Sequence, residues 1–172
     1  VVSVRQLAEV IHFAADKSAV VISALRSYIQ QDPGRETQAV DVVREIETVL
    51  TLMHNKLKYG ITVEKQLEAL YVEASANELS QVWINLIDNA AQAMEYKGKI
   101  TITAERDQEW GIISIIDSGP GIDDAIQEKI FDPFFTTKKE TEGIGLGLDI
   151  CRKIVEKYKG RIAFESRPGN TR

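Results

Sequence analysis

The sequence predicts an α+β domain built as a layered sandwich, on three observations. Helical periodicity and strand alternation occur in mixed order, neighbouring strands are joined by a hairpin-length turn, and no βαβ unit repeats. The 172 residues suffice for one domain with a small appendage, and a 44% hydrophobic content supports a packed core.

Residues 4–28 carry Val4, Leu7, Ile11, Ala14, Ser18, Val21, Leu25 and Tyr28 at heptad spacing. Val10, Ile22 and Ile29 widen the stripe, as in a helix of a multi-helix bundle. Gln31-Asp32-Pro33-Gly34 breaks the pattern and sets a domain boundary at about residue 35, dividing the chain into 1–35 and 36–172. A second helix is expected over 37–57, with Val42, Ile46, Val49, Leu50, Met53 and Leu57 on one face. Short strands follow at 61–63 and 70–72. Asn77 is the expected N-cap of a third helix running to Met94, with Gly98 ending it.

Ile100, Ile102 and Ala104 alternate as a strand should, and a turn at 107–109 leads into residues 110–116. The isoleucine pairs of that strand predict burial on both faces. An irregular stretch over 117–147 is interrupted by a short helix near 124–129. A last helix at 146–158 precedes a strand at 161–165.

Composition excludes several classes of function. Four prolines and eleven glycines do not suit a disordered or fibrous chain. Apolar runs such as Ala19 to Ile22 fall far short of the about 20 residues of a membrane span. The single cysteine, Cys151, rules out an intramolecular disulfide and suits a reducing, cytoplasmic compartment. A net charge of −5 without a long basic run speaks against binding nucleic acid phosphates. The opening Val1-Val2-Ser3 carries no secretory signal, and both ends read as cut from a longer chain that itself could be membrane-anchored.

Three clusters carry chemistry. Asn85 and Asn89 lie four apart on one helix face. Their carboxamide oxygens suit a hydrated magnesium ion already neutralising a polyphosphate, although a solvated polar face would look the same. Asp117-Ser118-Gly119-Pro120-Gly121-Ile122 follows a strand, so a carboxylate stands where it can accept from an exocyclic amine such as adenine's. Guanine presents a carbonyl at that place and would be repelled. The same residues also read as a plain turn. Gly143-Ile144-Gly145-Leu146-Gly147-Leu148 opens a helix, where free backbone amides cradle phosphate. It matches neither the P-loop nor the dinucleotide fingerprint. Between the last two clusters, Phe131-Asp132-Pro133-Phe134-Phe135-Thr136-Thr137-Lys138-Lys139 lies in a long irregular stretch of the kind that forms a lid.

In this order and spacing, the four motifs resemble the N, G1, F and G2 boxes of the catalytic ATP-binding domain of sensor histidine kinases. The resemblance covers about residues 37–172 and implies a Bergerat-type two-layer sandwich, a mixed sheet packed on three helices. It implies ATP and Mg²⁺ as ligands. Asn89 and Asn85 would hold the metal, Asp117 would read adenine, and Lys138 would act from the lid, with Asn85 and Lys138 in catalytic roles. Gly119, Gly121, Ile122, Phe135, Thr137, Gly143, Gly145, Leu146 and Gly147 complete the implied nucleotide contacts.

The same resemblance makes residues 1–35 part of the family's dimerisation and histidine-phosphotransfer hairpin, and it implies a homodimer and a response-regulator partner. His12 lacks the acidic neighbour of a phosphoacceptor, being followed by Phe13 and Ala14, so the acceptor is expected upstream of Val1. Related ATPases place a glutamate four residues before the metal-binding asparagine. Asn85 stands there instead, and an amide accepts no proton at neutral pH, which favours transfer to a nucleophile from another domain over hydrolysis. The alternatives are a nucleotide-binding regulatory module without kinase activity, or an ATPase of the wider superfamily.

Overall fold

A computed structural model describes residues 37–138 and 144–172. The expected helix at 4–28, with His12, and the expected phosphate-cradle residue Gly143 lie outside the described residues.

The chain enters through β1 (Gln38–Asp41), which pairs antiparallel with β3 (Tyr71–Ala74) in a separate two-stranded sheet. The expected helix start at residue 37 is thereby corrected to Val42. Val40 and Val42 satisfy either period, and the pairing of Val40 with Val72 decides for strand. Asp41 then caps helix α1 (Val42–Leu57), its Oδ1 accepting from the Arg44 amide at 3.1 Å. One face of α1 buries Val42, Ile46, Val49, Met53 and Leu57, as the spacing requires.

Helix α2 (Ala76–Ala93) begins one residue after Ser75, not at Asn77. Ser75 makes no side-chain cap. Its own amide instead donates to the Tyr158 hydroxyl at 3.1 Å, and that hydroxyl donates to Glu78. Lys157 adds an ion pair to Glu78 at 2.9 Å, so the start of α2 is pinned to the end of helix α3 (Gly147–Lys157) by a contact no local pattern shows. Gly98 does not end α2. The left-handed turn falls on Glu95 and Tyr96, and Gly98 opens the next strand.

The main sheet has five strands in the order β2-β4-β5-β7-β6. β2 (Ile61–Leu67) runs parallel to β4 (Gly98–Asp107), and β4 is antiparallel to β5 (Trp110–Asp117). β6 (Ser166–Arg167) and β7 (Asn170–Thr171) form a short hairpin. This mixed sheet packed against three helices is the expected α+β sandwich. Ile100, Ile102 and Ala104 face the core, as their alternation requires.

Two strand expectations are corrected. Residues 112–116 are half-buried apart from Ser114, because among the described residues β7 meets β5 only at Asp117↔Thr171. Residues 161–165 form no strand. Ile162 and Phe164 turn inward alternately, but ladder bonding begins at Glu165, which exchanges both backbone hydrogen bonds with Arg172 at 2.8 Å. The short helix near 124–129 shrinks to a 3₁₀ turn at Gln127–Lys129. Trp83 is buried in the core, whereas Trp110 is 62% exposed.

Two substitutions check this account in urea melts. Asp41→Ala removes the α1 cap and is expected to cost about 1 kcal/mol. Ile102→Ala, which empties a fully buried site on β4, is expected to cost about 2–5 kcal/mol.

Candidate functional site

Helix α2 sets the site. Its apolar face, including Leu79, Val82, Ile87 and Ala91, is buried, which turns Asp88, Asn89 and Gln92 to its polar edge. That edge borders an open cavity of about 1400 Å³, also lined by β5, the loop after it, residues 130–138, the start of α3 and residues 161–165. Of the residues expected to contact nucleotide, Asn89, Asp117, Gly121, Ile122, Phe135 and Thr137 line this cavity. Lys138, Gly145, Leu146 and Gly147 line it as well.

Asp117 ends β5 beside the inner strand β4 and is only 8% exposed. Its Oδ1 accepts from the Gly119 amide at 2.8 Å, which fixes the carboxylate. Burial pushes its pKa above the ordinary 3.8, and the Gly119 hydrogen bond opposes that shift. Gly119 therefore acts on the carboxylate and is not among the residues lining the cavity. The loop is held from below by the Ser118 hydroxyl, which accepts from the Lys99 amide at 3.0 Å.

The first turn of α3 has no side-chain cap, since its N-cap is Leu146. Its leading amides thus lack intrahelical acceptors beside the cavity wall formed by Gly145, Leu146 and Gly147. Gly145 sits at φ 73°, and a Cβ there would come within 2.5 Å of the Phe134 carbonyl carbon and the Phe135 oxygen. Only glycine fits, on both counts. Asp149 follows in the first turn, 3% exposed, and is ion-paired with Lys153 at 2.7 Å and Arg152 at 3.3 Å. Arg152 also stacks over the Phe131 ring at 6.0 Å, and Phe131 meets Phe164 at 6.1 Å. Phe131 thus ties residues 131–138 to the body, Phe135 lines the cavity, and Phe134 stays 70% exposed at φ 66°.

Lys138 reaches back from this segment to α2. Its Nζ donates to Asn89 Oδ1 at 3.1 Å and to Gln92 Oε1 at 2.6 Å. Asn85 behaves differently from Asn89. Its Nδ2 donates to the Gly147 carbonyl at 3.3 Å, tying α2 to α3, and it is not among the cavity-lining residues. Cys151 is fully buried with its thiol pushed up to about 12, as an inert core residue should be. Sequence reasoning missed Gln92 and the Arg152–Phe131 stack. Gln92 stands three residues after Asn89 and shares its face, so that spacing was the available signal.

Comparison with known proteins agrees with this fold. The family described as histidine kinase-, DNA gyrase B- and HSP90-like ATPase matches residues 74–172. The chain belongs to that family. Within it, the described residues form an ATP-binding catalytic domain of the sensor histidine kinase type. The catalytic domain of histidine kinase ThkA superposes with a TM-score of 0.72 at 41% identity, over 80% of this chain and 92% of that one. ThkA in complex with the response regulator TrrA gives a TM-score of 0.75 at 30% identity, over 99% of this chain and 51% of that one. The adaptive-response sensory kinase SasA of Synechocystis is 35% identical over 138 residues, 78% of this chain. The chain spans 36% of the length of that relative.

Two substitutions probe the site. Because burial holds the Asp117 pKa above 3.8, the folded domain keeps a proton that the unfolded chain has lost just above that pH. Ionisation of Asp117 therefore lowers stability as pH rises through that window. Asp117→Asn should lose this pH dependence and leave the nucleotide-free fold at least as stable at neutral pH, while weakening adenine nucleotide binding about ten-fold or more. Thermal melts from acidic to neutral pH, with and without ATP, read both effects. Gly145→Ala should cost about 1–3 kcal/mol in urea melts through its clash with Phe134.

Proposed function

We propose that this chain is the nucleotide-binding and phosphoryl-transferring part of a sensor histidine kinase. It would pass the γ-phosphoryl of Mg²⁺-ATP to a histidine on a helical segment outside the described residues, for relay to a response-regulator aspartate. The observation that carries the reading is the convergence of Asp117, Asn89, Lys138 and the uncapped start of α3 on one cavity. An adenine reader, a neutral oxygen ligand, a mobile-length cation and free amides are what a nucleoside triphosphate requires.

The donor set suits magnesium. No cluster of three acidic, histidine or cysteine ligands occurs among the described residues, so an all-protein cage is not on offer. Magnesium bound through a neutral oxygen plus phosphates and water needs none. Asn89 lines the cavity and its Oδ1 already accepts from an ammonium group, so it is presented to a cation. Asn89 would hold the ion, which supplies charge neutralisation on the phosphates. Asn85 supports that site through its bond to Gly147 and contributes no general base.

Asp117 accepts from the adenine amine and, through Gly119, cannot rotate away. Lys138 adds positive charge near the transferring group, and the α3 amides orient the phosphates. Among the described residues no helix is long and apolar enough to cross a membrane. The reading places the domain in the cytoplasm, with residues 1–35 joining two copies as a dimer.

Calorimetric titration with ATP, ADP and GTP, each with and without Mg²⁺, tests this. Adenine-selective, Mg²⁺-sensitive binding is expected. GTP bound as well as ATP would overturn the role of Asp117. Asn89→Ala should bind ADP with little remaining Mg²⁺ dependence, about ten-fold or more weaker than the parent at saturating metal. Acid-labile phosphate should appear on a supplied histidine-bearing helical domain, and its absence under saturating Mg²⁺-ATP would refute the kinase assignment.

A further inference from the structure

We infer that Gln92 is the positioning residue for Lys138, the pivot about which that lysine exchanges Asn89 for the phosphates when nucleotide binds. The inference rests on the reading that Asn89 takes the metal. It adds a residue that no motif of the sequence singles out.

The geometry begins with the carboxamide of Gln92. Its Nε2 donates to Asp88 Oδ2 at 2.7 Å, four residues back on the same helix. Its Oε1 accepts from Lys138 Nζ at 2.6 Å. The reversed amide would set an NH₂ against an ammonium and a carbonyl against a carboxylate, so Asp88 dictates which end faces the lysine. Asp88 is itself held: its Oδ1 accepts from Lys56 Nζ and from the Tyr96 hydroxyl, each at 3.4 Å. A chain of oriented groups thus runs from α1 through Asp88 and Gln92 to the tip of Lys138.

Lys138 completes the argument. Its ammonium has three donors, and one of them is spent on Asn89 Oδ1 at 3.1 Å. That oxygen is the one assigned to the metal. An ammonium and a divalent cation cannot share it at close range, since like charges repel strongly in a partly desolvated site. Loading the site therefore replaces one cation with another. The Asn89 bond is surrendered, the Gln92 bond persists, and the donor released from Asn89 turns to the phosphates beside it. Gln92 sets where the lysine waits and where it acts.

Two substitutions separate these roles by direction. Gln92→Met keeps the length and removes the acceptor, loosening the lysine's hold on Asn89. Gln92→Glu keeps the acceptor and adds charge, tightening that hold; both variants lose the bond to Asp88 equally, so the difference between them reads the acceptor. In the 172-residue chain, ADP binding followed by calorimetry over a range of Mg²⁺ concentrations should give half-saturating metal about five-fold lower for the Met variant and about five-fold higher for the Glu variant. With Lys138→Met in the background, the two should converge. In transfer to a supplied histidine-bearing domain, Gln92→Met should lower kcat more than it raises KM, and Gln92→Glu should recover part of kcat.

A merely structural Gln92 would shift the metal requirement the same way in both variants, or not at all, and either result overturns the inference. So does a difference that persists without Lys138. The parent reading is checked separately by Asn89→Ala. If that variant keeps the normal Mg²⁺ dependence, the metal assignment itself has failed. If it loses the dependence while both Gln92 variants match the parent, only the pivot has failed.

Discussion

The angular offset between the two faces of α2 is the constraint on which the rest depends. Ile87 and Ala91 are fully buried against the core, and Asn89 lies between them in sequence. Rotating the helix far enough to move Asn89 out of the cavity would lift those side chains off α1 and off Ile100 and Ile102 of β4. Packing at near-crystalline density makes such a rotation costly. The core thus fixes the direction of the ligand oxygen, and the same helix passes that order to α3 through Asn85 and Glu78.

The second organising feature is the treatment of charge. Asp117 and Asp149 are both nearly buried, but they are managed differently. Asp149 is neutralised by Lys153 and Arg152 and sits at the positive end of α3, where an anion is favoured. Asp117 has a backbone amide and no ion pair among the described residues. One carboxylate is structural and satisfied. The other is kept under-solvated, which leaves it ready for a hydrogen-bond donor from a ligand.

Much of this was legible beforehand, and the misses share a cause. The alternation of Ile100, Ile102 and Ala104 is a local period on an inner strand and needed no tertiary knowledge. The motifs also marked residues that the fold gathers around one cavity, Asn89, Asp117, Gly121, Gly145 and Gly147 among them, whereas Asn85 and Gly119 lie outside its lining. β1 was hidden inside a helical pattern, since only its pairing with Tyr71–Ala74 reveals it. The start of α2 meets Tyr158, and Lys138 meets Gln92; both contacts join residues far apart in sequence. The two asparagines look equivalent in sequence. What separates them is the carbonyl of Gly147, which occupies one and not the other.

The crowding at Gly145 has a mechanical consequence. With the backbone of Phe134 and Phe135 packed where a Cβ would stand, the lid segment and the first turn of α3 share a surface with no slack between them. A displacement of either is felt at once by the other. The uncapped amides at the start of α3 therefore rest directly against the backbone of the aromatic segment.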